Sequence, residues 1–173
     1  KRGSGQILKK YKLPKNYFLM ISTIEPRKNT NNTIKAFKKA KIKNMDLVVA
    51  GKQNKKIFSD YKTIKGKNIK YIGFVEEDDK AALIKNAKGF IYLSLFEGFG
   101  LPAAEAMYFQ TPTLVSNTTS LLEIGKGYAL LADPLNTDDM AEKMKLLLTH
   151  KQKRPNYSWA SCAEKTLDIM LQA

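Results

Sequence analysis

Two glutamates in the stretch SLFEGFGLPAAEAM, residues 94–107, have the types and spacing to do chemistry. Seven residues separate Glu97 from Glu105, which stand on either side of a glycine-bearing loop that runs into Pro102. An ionised carboxylate only accepts hydrogen bonds. A ligand rich in hydroxyls suits it. Glu105, expected in the first turn of a helix opened by Pro102, could take the vicinal hydroxyls of a ribose. Glu97, in the loop, could accept from sugar hydroxyls or face developing positive charge. Gly98 and Gly100 let the backbone approach a ligand closely. The N–H groups at the start of that helix lack intrahelical partners and form a ready anion site. A plainer reading stays open: a solvated loop acid, and a helix acid placed for its dipole.

The stretch TIEPRKNT, residues 23–30, offers a second constellation. Arg27 and Lys28 follow an apolar run and precede a helix capped by Asn29 or Thr30. Two cations beside a helix start could hold a diphosphate without a metal. A charged turn is the plainer alternative. No Asp-x-Asp occurs, the one histidine (His150) lies in a basic segment, and Asp78–Asp79 read as helix-start acids. No metal is expected.

The elements that must position these residues alternate. YFLMIS (17–22), DLVVAG (46–51), IKYIGFV (69–75), GFIYLSL (89–95), TPTLVSN (111–117) and YALLAD (128–133) read as strands, several of them continuous apolar runs. Between them lie helical patterns at 29–41, 76–88 and 102–108, with a polar helix candidate near 55–65. An amphipathic helix with early acids covers 136–150, and another closes the chain from Ser158. Repeated strand–helix units predict an α/β fold, a Rossmann-like parallel sheet with helices on both faces. Ligands of such sheets sit outside the carboxyl ends of the strands, where strand order reverses. The loops 23–30, 51–55, 73–77, 94–102 and 117–124 are therefore the ones to inspect. The chain reads as a single domain over 1–173, with residues 1–12 as the remnant of a linker.

Composition narrows the classes. The 173 residues are 43% hydrophobic, enough for a real core. No run of 18 apolar residues predicts a transmembrane helix, and the first residues lack a signal-peptide core. Cys162 alone gives no disulfide framework, which fits a reducing cytoplasm. The formal charge is +14, from 27 lysines and three arginines against 16 acids. Arginine, not lysine, supplies the bidentate fork that base and phosphate recognition favours, so nucleic acid is not expected as a partner. The lysines read as spread along the chain, a solvated surface. Attraction to an anionic membrane, about 1 kcal/mol per basic residue at the surface, is the functional alternative.

EPRKN (25–29), IKYIGFV (69–75), SLFEGFGLPAAEAM (94–107), TPTLVSNTTSLLE (111–123) and LLADP (130–134) together resemble the C-terminal, donor-binding domain of glycosyltransferase family 4. Those enzymes have the GT-B fold of two facing Rossmann-like halves. The resemblance covers nearly the whole chain. It implies a nucleoside diphosphate sugar as substrate, no cofactor, and transfer of a hexose with retention to a glycan or lipid-linked acceptor in surface polysaccharide synthesis. Residue by residue, it implies that Glu105 binds the donor ribose and that Glu97 contacts the transferred sugar near the reacting carbon. The backbone of Phe99, Gly100 and Leu101 would lie against sugar and diphosphate. Lys28 would hold the diphosphate, and Val75 would contact the base. Many members carry Gly-Arg after the first strand, where this chain has Ser22 and Thr23; Arg27 takes over that charge. The resemblance further implies an N-terminal acceptor domain missing from this chain, little or no transfer by the chain alone, and a cytoplasmic protein peripheral at the inner face of the membrane. A non-catalytic nucleotide-sugar-binding module is the alternative.

Overall fold

A computed structural model describes residues 4–54 and 56–172. Its centre is one six-stranded parallel sheet of β1 (Tyr17–Ile21), β2 (Asp46–Ala50), β3 (Ile69–Gly73), β4 (Gly89–Tyr92), β5 (Thr113–Ser116) and β6 (Leu130–Ala132). The strands lie in the order β3-β2-β1-β4-β5-β6. This is the expected Rossmann-like α/β fold. β1 and β4 are neighbours, and the chain leaves them in opposite directions, so strand order reverses between them. Their carboxyl ends open the crevice where such sheets bind ligands.

The central strands are apolar throughout because both faces are covered. On one face α2 (Thr30–Ala40) and α6 (Thr137–Leu146) bring Ile34, Phe37, Met140 and Met144 onto Phe18, Leu47, Val49 and Ile91. On the other, α1 (Ser4–Lys10), α3 (Glu77–Asn86), α4 (Leu101–Tyr108) and α5 (Thr119–Gly125) cover Leu19, Val48, Phe90 and Val115. The last helix, α7 (Trp159–Gln172), leaves Leu167, Ile169, Met170 and Leu171 exposed.

Segment 1–12, expected as a linker remnant, is helical over Ser4–Lys10 and docked on the domain. Ile7 is buried, and Lys10 and Tyr11 both bond the Asp79 carboxylate on α3. The helix expected near 55–65 is absent among the described residues, which run as turns and coil. Gln53 explains part of this. Its amide donates to the carbonyls of Phe58 (2.6 Å) and Tyr61 (2.8 Å), giving the backbone partners outside a helix. Asn29 lies at the N-terminal boundary of α2 in the left-handed region (φ 57°), yet its side chain makes no cap bond. Its amide instead donates to Leu93 O (3.0 Å) and Pro134 O (2.7 Å), stapling the β1 loop to the ends of β4 and β6. At the carboxyl end of β2, Gly51 has φ 138°, and a Cβ there would sit 1.8 Å from the Ser22 carbonyl oxygen. Only glycine lets β2 approach β1 this closely.

Candidate active site

The loops after β1 and β4 meet at the reversal point. A 3-10 turn at Pro26–Lys28 follows β1 and projects Lys28 inward. The loop after β4 supplies Glu97. Leu95 N donates to Arg27 O at 2.9 Å and joins the two loops.

Lys28 Nζ lies 2.6 Å from Glu97 Oε1. Both residues are buried, at 7% and 9% exposure. Lys28 also donates to Tyr92 Oη at 3.0 Å. Arg27, with its side chain 45% exposed, reaches the other oxygen, Glu97 Oε2, at 3.3 Å. It also holds Phe96 O (2.9 Å) and Glu25 Oε1 (2.6 Å). Ser120 Oγ donates to the Glu97 carbonyl at 2.9 Å. Burial pushes the Glu97 carboxyl up, but hydrogen bonds from Lys28, Ser94 and Tyr92 and the Lys28 charge outweigh that and hold it below the ordinary glutamate range. Glu97 is thus anionic at neutral pH and divided between the two cations of the β1 loop.

Glu105 belongs to a different group. Helix α4 begins at Leu101, with Gly100 (φ 97°) before it, so Glu105 is its fifth residue and not in the first turn as expected. The dipole reading of this acid loses its basis, because that effect fades beyond the first turn. Glu105 Oε1 accepts from Lys80 Nζ of α3 at 2.9 Å, and Lys80 also binds Glu77 at 2.7 Å. Burial pulls the Lys80 ammonium down, yet its bonds to Glu77 and Glu105 win, and the net shift is upward. Glu105 Oε2 is buried with no hydrogen-bond partner. So are Ser22 Oγ, Thr30 Oγ1 and Thr118 Oγ1, all in segments that follow the strands. A buried polar atom without a partner costs about 1–3 kcal/mol.

The remaining expected residues follow β3 and β4 in the chain. A Cβ on Gly98 would meet nothing within 4 Å, so that stretch is open. Phe99 is half-exposed and stands edge-on to Tyr157, with ring centroids 6.4 Å apart. Leu101 is exposed. Gly100 is closed from behind: a Cβ there would lie 2.5 Å from Leu121 Cδ2. Val75, between β3 and α3, is half-buried against the core.

A family model described as "Glycosyl transferases group 1" matches residues 6–161. The chain belongs to that family. Among its curated relatives is the O-antigen chain mannosyltransferase B of Escherichia coli. It is 29% identical over 94% of this chain and 48% of its own length. The serotype-specific mannosyltransferase WbdA of Escherichia coli is 31% identical over 92% of this chain and 22% of its own length. This group 1 glycosyl transferase chain therefore spans about half the length of the first relative and less of the second. Solved structures agree on the fold. A UDP-forming α,α-trehalose-phosphate synthase from Burkholderia xenovorans superposes with a TM-score of 0.70 at 16% identity, over 86% of this chain and 39% of that one. Anabaena HepE in complex with UDP and glucose gives 0.67 at 16% identity, over 84% and 41%.

Three partners in this group 1 glycosyl transferase site, Tyr92, Lys80 and Ser120, carry no clear signal in the sequence. Tyr92 hides in an apolar strand run. Lys80 reads as one more surface lysine after four acids. Ser120 falls in 117–124, expected as a loop, but residues 119–125 form α5 and Ser120 sits in its first turn.

Proposed function

We propose that this chain is the donor-binding half of a retaining, metal-independent GT-B glycosyltransferase. It binds a nucleoside diphosphate hexose, mannose being the first sugar to test because the relatives above are named mannosyltransferases. One observation carries the reading: the buried Lys28–Glu97 pair sits at the carboxyl ends of β1 and β4, where strand order reverses.

In this reading Glu105 Oε2, buried and unpartnered, receives a ribose hydroxyl. Val75 lies against the base, and Gly98, Phe99, Gly100 and Leu101 against sugar and diphosphate. Breaking the sugar–phosphate bond leaves negative charge on the diphosphate. Lys28, Arg27 and the start of α4 are fixed positive groups that stabilise it. As the diphosphate takes over the two cations, Glu97 turns to the sugar, accepts from its hydroxyls and faces the positive charge that develops at the reacting carbon. The acceptor hydroxyl then attacks from the leaving-group face, and its proton passes to the departing phosphate oxygen.

An acceptor domain supplied by a longer protein completes the enzyme, and the apolar residues exposed on α7 offer it a surface. Contact with an anionic membrane is part of the reading. The lysines are not evenly spread: residues 35–70 hold twelve against two acids, and residues 89–125 hold none. No helix among the described residues is long and apolar enough to cross a membrane.

Calorimetric titration of the chain with UDP, GDP, ADP and CMP at two salt concentrations tests the reading. Preference for one nucleoside diphosphate supports it. Binding to none, or binding that only tracks salt as phosphate-backbone contacts do, overturns it.

A further inference from the structure

We propose that Tyr92 is a positioning residue: it aims the Lys28 ammonium at the diphosphate of the donor. This inference rests on the donor-site reading above and adds a member to that site.

Tyr92 ends β4 at the reversal point and is 2% exposed. Its ring stacks on Phe90, with centroids 6.2 Å apart and planes inclined by 19°, so the phenol has no freedom to swing. Other buried or half-buried tyrosines of the sheet spend their hydroxyls on backbone carbonyls. Tyr17 donates to Leu83 O at 2.7 Å and Tyr71 to Ile64 O at 2.8 Å. Tyr92 Oη instead accepts from Lys28 Nζ at 3.0 Å, and the ammonium stands 5.4 Å from the ring centroid. The phenol also hydrogen-bonds the Glu97 carboxylate, so it ties both members of the ion pair to the end of the strand.

Lysine is a flexible stem with three donors. Two are engaged, by Tyr92 on the rigid strand and Glu97 on the loop. The third remains for an incoming oxygen. When the diphosphate arrives, Glu97 can leave with its loop, but Tyr92 cannot move. Tyr92 is then the group that keeps the ammonium in place. Burial, and the Glu97 charge behind it, push the phenol up, so it stays neutral and never competes as an anion.

Tyr92→Phe removes the oxygen and keeps the ring. The unaltered chain, Tyr92→Phe, Lys28→Ala and the double variant are each titrated with a nucleoside diphosphate and with the matching nucleoside. The expected result is a roughly tenfold loss of diphosphate affinity in Tyr92→Phe, unchanged nucleoside affinity, and no further loss when the change is added to Lys28→Ala. Unchanged diphosphate affinity, equal losses for both compounds, or full additivity with Lys28→Ala overturns the proposal. A second readout needs no ligand: the rate at which the Lys28 ammonium protons exchange with water, followed by nitrogen-15 NMR. Exchange should quicken in Tyr92→Phe, and an unchanged rate overturns the proposal. If the unaltered chain binds neither compound, the donor-site reading fails on its own, and the exchange rate still decides what Tyr92 does.

Discussion

Lys28 of the β1 loop and Glu97 of the β4 loop form a buried ion pair of 2.6 Å across the point where strand order reverses. The residues expected to grip the two sides of the donor thus hold each other. Breaking a buried pair by deleting one partner leaves a charge stranded, and Arg27 offsets this only from the rim. Lys28→Ala should lower stability by about 3 kcal/mol. Urea unfolding measures it; a loss within 0.5 kcal/mol would mean that the pair is solvated.

The same pair sets a pH dependence. Its folded-state pKa is depressed, so Glu97 adds stability that is present above the ordinary glutamate value, about 4.3. That stability is lost as pH falls through the lower folded value. Stability followed from pH 7 to pH 3 should therefore fall more steeply below about pH 4.3 in the unaltered chain than in Lys28→Ala. Parallel curves would remove the charge coupling.

On the proposed donor-site reading, Glu97 occupies both cations and so competes with the diphosphate. Glu97→Gln should bind a nucleoside diphosphate several-fold more tightly than the unaltered chain and bind the nucleoside equally well. Calorimetry decides. Weaker diphosphate binding in a folded variant would mean that Glu97 assists the anion rather than opposing it.

Glu105→Ala should cost about 1.5–3 kcal/mol of affinity, the scale of hydrogen bonds to a charged group, for diphosphate and nucleoside alike. Lys28→Ala should affect the diphosphate far more. This contrast separates a ribose contact from a phosphate contact. Unaltered affinity in folded Glu105→Ala would defeat the ribose assignment.

The two loop glycines should respond differently. Gly100→Ala forces a side chain into φ 97° and against Leu121, and should cost about 1–3 kcal/mol of stability. Gly98→Ala meets open space and should leave stability within about 0.5 kcal/mol. Thermal unfolding of both variants checks the difference, and equal losses would contradict the described loop.

Much of this was legible in the sequence because periodicity reports burial. The apolar runs at 17–22, 46–51 and 89–95 could only be strands covered on both faces, and the loops following them had to carry the site. The partnerships were not legible. Nothing in the spacing of Arg27, Lys28, Glu97 and Glu105 says that Lys28 pairs with Glu97 while Glu105 pairs with Lys80. That outcome depends on strand order, which puts β1 beside β4 and lets α3 reach α4. Pro102 as a helix start puts Glu105 in the first turn; the left-handed Gly100 starts the helix one residue earlier, at Leu101. The helix expected at 55–65 failed because Gln53 offers the backbone other partners, a competition that hydropathy does not register.

The most direct measurement is a crystal structure of the chain with the nucleoside diphosphate that calorimetry selects. The account predicts ribose hydroxyls on Glu105, the distal phosphate within hydrogen-bonding distance of Lys28 Nζ, and Glu97 released from that ammonium. A nucleotide bound away from both residues, with the Lys28–Glu97 pair intact, would contradict it.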